Sequence, residues 1–202
     1  MPVSGSKSIE AVKDYTKKKT TSYEEQDYDK VAEYKYEIAD VPPENIAYVD
    51  ETGIEGYLYR EHGYSPRGQL VYDRIRGRKY ARTSIVAAKM GDKLIAPCQY
   101  TGTMNHELFE DWFENHLLPE LPKETVIVMD NASFHRKEQL YCLAQKYECY
   151  LIFLPPYSPD LNPIERFWAW LKRTLRKILP KLDSLGQAIF AAFYFRDKLS
   201  SV

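Results

Sequence analysis

Three acidic residues stand where a chain can do chemistry. Asp50 closes the apolar run Ile46-Ala47-Tyr48-Val49, Asp130 closes Val126-Ile127-Val128-Met129, and Glu165 opens an amphipathic stretch after Asn162-Pro163. Each apolar run reads as a strand. In an open α/β sheet, groups at the carboxyl ends of parallel strands face the crevice where ligands gather. Three converging carboxylates repel one another unless a divalent cation sits between them, and hard oxygen donors suit Mg²⁺ or Mn²⁺. Two such ions about 3.5–4 Å apart can activate an attacking oxygen and stabilise the leaving oxygen of a phosphodiester. Each position also has a purely structural reading. A strand-terminal Asp is a common turn or cap residue. In Asn162-Pro163-Ile164-Glu165, the Asn suits the cap, the Pro the first helical position and the Glu the capping-box position. Spacing alone leaves both readings open.

Basic residues accompany the acids. Ile164, Phe167, Trp168, Leu171, Leu175 and Ile178 form one apolar helical stripe, which places Glu165 on the other side with Lys172, Arg173 and Arg176. A second cluster, Arg67, Arg74, Arg76, Arg78, Lys79 and Arg82, is interleaved with Tyr72 and Tyr80 and opposed only by Asp73. Such a segment can track a phosphate backbone and stack on bases. It can equally be a solvated, charged hairpin.

The totals narrow the class. The chain has 202 residues and a formal net charge of −1, which excludes a polybasic protein but not a local nucleic-acid surface. Cys98, Cys142 and Cys149 form no CxxC pair and read as reduced thiols of a cytoplasmic protein. His62, His106, His116 and His135 have no zinc-finger spacing. The longest apolar run, residues 188–195, is far short of the roughly 20 residues of a membrane span. Residues 1–20 carry lysines but no apolar block, so no secretory signal is expected.

The elements that position the acids follow from periodicity. Residues 1–20 read as a tail. A helix is expected over 24–38, with Ser22 and Glu25 as a capping box, Val31, Tyr34 and Ile38 on one face, and Pro42-Pro43 ending it. Strands are expected at 46–50, 56–59, 83–89 and 93–100, with a hairpin turn at Met90-Gly91-Asp92. A helix over 105–118 is capped by Asn105 and faces the core with Leu108, Trp112, Phe113 and Leu117. Then come a strand at 125–129, a helix at 136–146, a strand at 149–154, a Pro-rich turn at 154–163 and helices at 163–178 and 184–199. That order predicts a mixed α/β sheet, part antiparallel and part parallel.

Asp50-Glu51-Thr52-Gly53, Val128-Met129-Asp130-Asn131-Ala132-Ser133-Phe134-His135 and Leu154-Pro155-Pro156-Tyr157-Ser158-Pro159-Asp160-Leu161-Asn162-Pro163-Ile164-Glu165 together resemble the DDE transposases of the mariner-like superfamily. The bacterial insertion-sequence branch is the nearest, and the 34 residues between Asp130 and Glu165 match its spacing. The resemblance spans residues 44–180. It implies a ribonuclease-H-like mixed sheet flanked by helices. It implies that Asp50, Asp130 and Glu165 bind two Mg²⁺ ions, with Mn²⁺ able to substitute. It implies cutting of DNA at terminal inverted repeats and transfer of the freed 3′-hydroxyl to target DNA, commonly at TA, by a homodimer. A cytoplasmic protein, on the nucleoid when bound to DNA, is expected.

Residues 44–180 are then the catalytic domain, 1–43 a linker and helix without a complete helix-turn-helix, and 181–202 a helix packed on the domain. Asp160 reads as turn chemistry, His135 as a structural histidine, and Cys142, Leu143, Trp168 and Trp170 as packing residues. Two other functions fit the residues. One is a non-catalytic DNA-binding or inhibitory partner of a full-length transposase. The other is a nuclease of the same fold acting on RNA–DNA hybrids.

Overall fold

The computed structural model describes residues 23–54 and 82–200, with side chains described as far as Tyr194. Among these residues five strands, β1 (Ile46–Ile54), β2 (Thr83–Met90), β3 (Lys93–Tyr100), β4 (Val126–Met129) and β5 (Tyr150–Phe153), form one sheet in the order β3-β2-β1-β4-β5. β3, β2 and β1 pair antiparallel, while β1, β4 and β5 pair parallel. The helices are α1 (Tyr28–Glu37), α2 (His106–Trp112), α3 (Lys137–Lys146), α4 (Ile164–Ile178) and α5 (Leu185–Ser200).

Helices cover both faces. α2, the helical turn Phe113–Leu117 that continues it, and α3 bury Phe109, Trp112, Phe113 and Leu140 with Val49, Ile127 and Met129 of the sheet. α4 and α5 bury Trp168, Leu171, Leu175 and Ile189 against Ile54, Ile85 and Ala87. β4 is buried throughout, as its unbroken apolar run requires of a strand covered on both faces. Each fully buried Ile or Val there contributes roughly 1.5–3 kcal/mol.

Several expectations are corrected. β1 does not end at Asp50. Its parallel pairing with β4 covers only Ile46 to Tyr48, but its pairing with β2 continues from Asp50↔Ala87 to Ile54↔Thr83. Asp50 therefore sits mid-strand, just past the point where one flank loses its partner. The expected strand at 56–59 lies outside the described residues. α1 starts at Tyr28 rather than 24, because the Asp27 side chain accepts from the backbone N–H groups of Asp29 and Lys30 at 3.1 and 3.2 Å. Ser22 lies outside the described residues. On α2 the core-facing residue is Phe109, 2% exposed, rather than Leu108, 38% exposed. Phe109, Trp112 and Phe113 share a face at i, i+3 and i+4. Asn105 caps α2 by accepting from Leu108 N–H at 2.8 Å.

A bulge in β3 shapes the sheet edge. The β2–β3 register shifts between Val86 and Ala88, and Ala96 takes a φ of 47°. The Ala96 carbonyl is met by Trp112, whose indole Nε1–H donates to it at 2.8 Å inside the core. α2 is thereby seated on the bulge.

Candidate active site

Asp50, Asp130 and Glu165 come from three elements and line one cleft of about 450 Å³, together with the Leu154–Pro159 turn and Asn162. Asp50 leaves the middle of β1, Asp130 follows β4, and Glu165 lies in the first turn of α4. Asp50 is half-buried, while Asp130 and Glu165 are exposed.

Two asparagines hold the elements in this arrangement. Asn131 Nδ2 donates to the Leu154 carbonyl at 2.8 Å, tying the end of β4 to the start of the Pro-rich turn. Asn162 Nδ2 donates to the Val49 carbonyl at 3.3 Å, tying the end of that turn to the strand residue before Asp50. Asn162 Oδ1 accepts from Ile164 N–H at 3.4 Å and its carbonyl accepts from Glu165 N–H at 3.2 Å, so one residue meets both β1 and the start of α4. From outside, Gln26 Nε2 donates to Ser158 Oγ at 2.9 Å and to Asp160 Oδ1 at 3.3 Å. Asp160 thus serves the turn. Tyr157, at the cleft, has a φ of 55° and is exposed.

The carboxylates differ in environment. Burial first, then the Glu165 charge, push Asp50 up to about 7, against hydrogen bonds from the Glu51 backbone and Trp168 that lower it. Trp168 Nε1 donates to Asp50 Oδ2 at 3.0 Å, so this tryptophan does more than pack. Asp130 is held below the usual carboxylate range, chiefly by a hydrogen bond from His135. His135 Nε2 stands 3.2 Å from Asp130 Oδ1, and Ala132 N–H donates to the same oxygen at 3.2 Å. The imidazole is 3% exposed and lies between Phe109 and Phe134, at ring-centroid distances of 4.3 and 4.4 Å. Its structural role is therefore joined to a direct contact with Asp130.

Glu51, passed over in the sequence, is a fourth carboxylate near this group. Tyr100 Oη donates to its Oε2 at 2.6 Å, and burial raises its pKa. Strand alternation places Glu51 on the opposite face of β1 from Asp50. That much could have been seen, but its burial depends on Tyr100, which is distant in sequence.

All three cleft acids offer hard oxygen donors, and the raised proton affinity of Asp50 reflects burial first and then the Glu165 charge, which a cation would offset. That chemistry fits Mg²⁺ or Mn²⁺. Among the described residues, no three His, Cys, Asp or Glu side chains stand close enough to hold an ion as they are placed, so side-chain adjustment would accompany binding.

Of the expected DNA contacts, Arg67, Arg74, Arg76, Arg78 and Lys79 lie outside the described residues. Arg82 is exposed at the start of β2 and lies over Gly53, where a Cβ would stand 2.9 Å from its Nη2. Lys172 is half-buried, and Arg173 and Arg176 are exposed, on α4. Among the described residues, no helix is long and apolar enough to cross a membrane.

Known proteins resemble this chain in sequence or in fold. A Caenorhabditis briggsae protein, the transposable element Tcb1 transposase, is 33% identical over 81 residues, covering 38% of this chain and 30% of its own length. The Mos1 paired-end complex with Mg superposes with a TM-score of 0.61 at 17% identity, over 81% of this chain and 53% of that chain. The catalytic domain of Mos1 mariner transposase gives 0.55 at 14% identity, over 77% and 76%. This chain thus spans about half or less of the full-length relatives it matches. At these identities the structural likeness is one of fold, the ribonuclease-H-like mixed sheet flanked by helices. Residues 45–186 match the family described as DDE superfamily endonuclease, and the chain belongs to that family.

Proposed function

We propose that residues 44–180 form the catalytic domain of a transposase of the bacterial insertion-sequence branch, with 1–43 and 181–202 flanking it. In this reading it cuts DNA at the terminal inverted repeats of its element and joins the freed strand to target DNA. The observation that carries the reading is the cleft itself. Three carboxylates from β1, the end of β4 and the start of α4 face one space, and burial together with the Glu165 charge raises Asp50 to about 7.

Asp50, Asp130 and Glu165 would hold two Mg²⁺ ions, or Mn²⁺ in their place. When bound, such ions supply the positive charge that draws a phosphodiester toward three carboxylates and stabilises charge on the attacking and leaving oxygens. The chain's own residues prepare for this. Trp168 fixes one oxygen of Asp50, and His135 and Ala132 N–H fix one oxygen of Asp130. Asn131 and Asn162 keep β4, the turn and β1 in register. Lys172, Arg173 and Arg176 lie on the helix that carries Glu165 and would meet DNA phosphates, with Arg82 just before β2. Joining two element ends calls for two copies of the chain on DNA, in the cytoplasm at the nucleoid.

The test is a calorimetric Mn²⁺ titration of wild type and Asp130→Asn, with nicking and strand-transfer assays on the same samples and a duplex present. Loss of both ion binding and nicking in Asp130→Asn supports the reading. Nicking retained in the variant removes Asp130 from the site and overturns it. Duplex binding without nicking by the wild type favours an inhibitory partner instead.

A further inference from the structure

A second, smaller cavity of about 120 Å³ is walled by Val49, Glu51, Phe109, Met129, Phe134 and His135, and it reaches Asp50 and Asp130. Two buried polar atoms on its lining residues, Glu51 Oε1 and His135 Nδ1, have no hydrogen-bond partner among the described residues. Leaving such an atom unsatisfied costs roughly 1–3 kcal/mol, and more for a charged group. Each is the free end of a held side chain. Glu51 Oε2 is taken by the Tyr100 hydroxyl at 2.6 Å, and His135 Nε2 is taken by Asp130 Oδ1 at 3.2 Å.

The valences at the two ends fit together. An ionised carboxylate only accepts, so Nε2 must carry the hydrogen that meets Asp130. In the neutral ring Nδ1 then has a lone pair to offer, and Glu51 Oε1 is an acceptor on the same cavity lining. One water between them would donate a hydrogen to each. The cavity exceeds the roughly 30 Å³ that a water occupies in the liquid, and a buried water needs two to four polar partners. The aromatic walls of Phe109 and Phe134 limit the tilt of the ring. They do not distinguish the imidazole from the same ring turned over, which would present carbon where Nδ1 stands. The Asp130 bond at Nε2 and a bridge to Glu51 at Nδ1 do so from the two sides of the ring.

We propose that Glu51 is a positioning residue for Asp130: through a water in this cavity it fixes the His135 imidazole so that Nε2–H stays on Asp130 Oδ1, and Tyr100 anchors the chain of bonds at its far end. Asp130 is then presented to the cleft with one oxygen already engaged. The part of this inference that concerns ion binding rests on the proposed function of the cleft, while the bridge itself does not.

The experiment compares the imidazole ¹⁵N resonances of the full chain in wild type, Glu51→Leu, Glu51→Gln and Tyr100→Phe, with His135→Gln to assign His135 among the four histidines. Mn²⁺ affinity is measured on the same samples. The expected result is an Nε2–H tautomer in wild type, a displaced Nδ1 resonance in Glu51→Leu and a smaller displacement in Tyr100→Phe. Mn²⁺ affinity falls about tenfold in Glu51→Leu, the scale typical of groups that orient a metal ligand. Glu51→Gln keeps a polar atom at the cavity and restores most of both signals. Tyr100→Phe removes only a hydroxyl, so it stands as the test should Glu51→Leu not fold. An Nδ1 resonance unchanged from wild type in folded Glu51→Leu or in Tyr100→Phe overturns the inference. A wild type that binds no Mn²⁺ counts against the function proposed for the cleft, and the resonances then decide the bridge alone.

Discussion

The indole Nε1–H of Trp168 donates to Asp50 Oδ2 across 3.0 Å, joining the helix that carries Glu165 to the strand that carries Asp50. One residue thereby packs in the α4 core and sets the direction of a cleft acid. A hydrogen bond to a charged group is worth about 1.5–3 kcal/mol. It acts when Asp50 is ionised. Trp168→Phe keeps an aromatic ring in the core but removes the donor. Its destabilisation is expected to be larger at about pH 8 than at about pH 5, with weakened Mn²⁺ binding. Urea unfolding at the two pH values checks this, and an equal loss at both would show that Trp168 acts through packing alone.

The raised Asp50 makes a pH prediction with a definite sign. Its folded value of about 7 lies above the ordinary 3.8, so the folded chain binds this proton more tightly than the unfolded chain. The stability contribution is complete below about pH 4 and is lost as pH rises through about 7. In chelator, Asp50→Asn is expected to abolish that slope and to exceed wild type at about pH 8 by up to about 4 kcal/mol. Adding Mg²⁺ should return stability to wild type but not to the variant. Parallel urea profiles for the two proteins from about pH 4 to 8 would refute it.

Asp130 carries the opposite sign. His135 holds its pKa below the ordinary value, so its contribution is present above about pH 4 and is lost as pH falls through its folded value. His135→Gln is expected to move acid unfolding to higher pH. An acid midpoint unchanged in that variant would mean that the His135 contact does not stabilise the ionised carboxylate.

Some of this was legible from local patterns. The unbroken apolar run of β4 and the stripe of α4 are signals within a single element, and the structure follows both. What was hidden depends on residues far apart in sequence. Asp50 looked like a strand end because the apolar run stops at Val49, while β1 continues beside β2 to Ile54. Trp168 lies on the apolar stripe, and only the approach of β1 shows that its N–H has a task. Glu51 could be assigned to the other face of β1 by alternation, but its clamp comes from Tyr100 on β3. The choice of Asp27 over Ser22 as the α1 cap, and of Phe109 over Leu108 on α2, turned on shifts of a few residues that tertiary packing decides.

Trp112 gives a stability prediction separate from the cleft. Its Nε1–H satisfies the Ala96 carbonyl at the bulge in a fully buried setting. Trp112→Phe leaves that carbonyl unpaired and a void beside it, and is expected to cost about 2–4 kcal/mol. Mn²⁺ affinity of the folded fraction should stay near wild type. A drop in affinity matching the drop in stability would show that the bulge and the cleft are coupled.

The basic face of α4 makes a prediction that salt can isolate. Lys172 and Arg176 follow Glu165 by about two and three helical turns on the same side, so a duplex held at the cleft would run along them. Contacts of this kind read phosphate charge rather than sequence. Lys172→Ala and Arg176→Ala are therefore each expected to weaken duplexes of any sequence to a similar degree, and to reduce the slope of log affinity against log salt by about one. Neither should alter Mn²⁺ affinity measured without DNA. Fluorescence anisotropy on an element-end duplex and on an unrelated duplex, from low to moderate salt, reads both effects. A variant that weakens only the element-end duplex and keeps the salt slope would place that residue at a base edge instead.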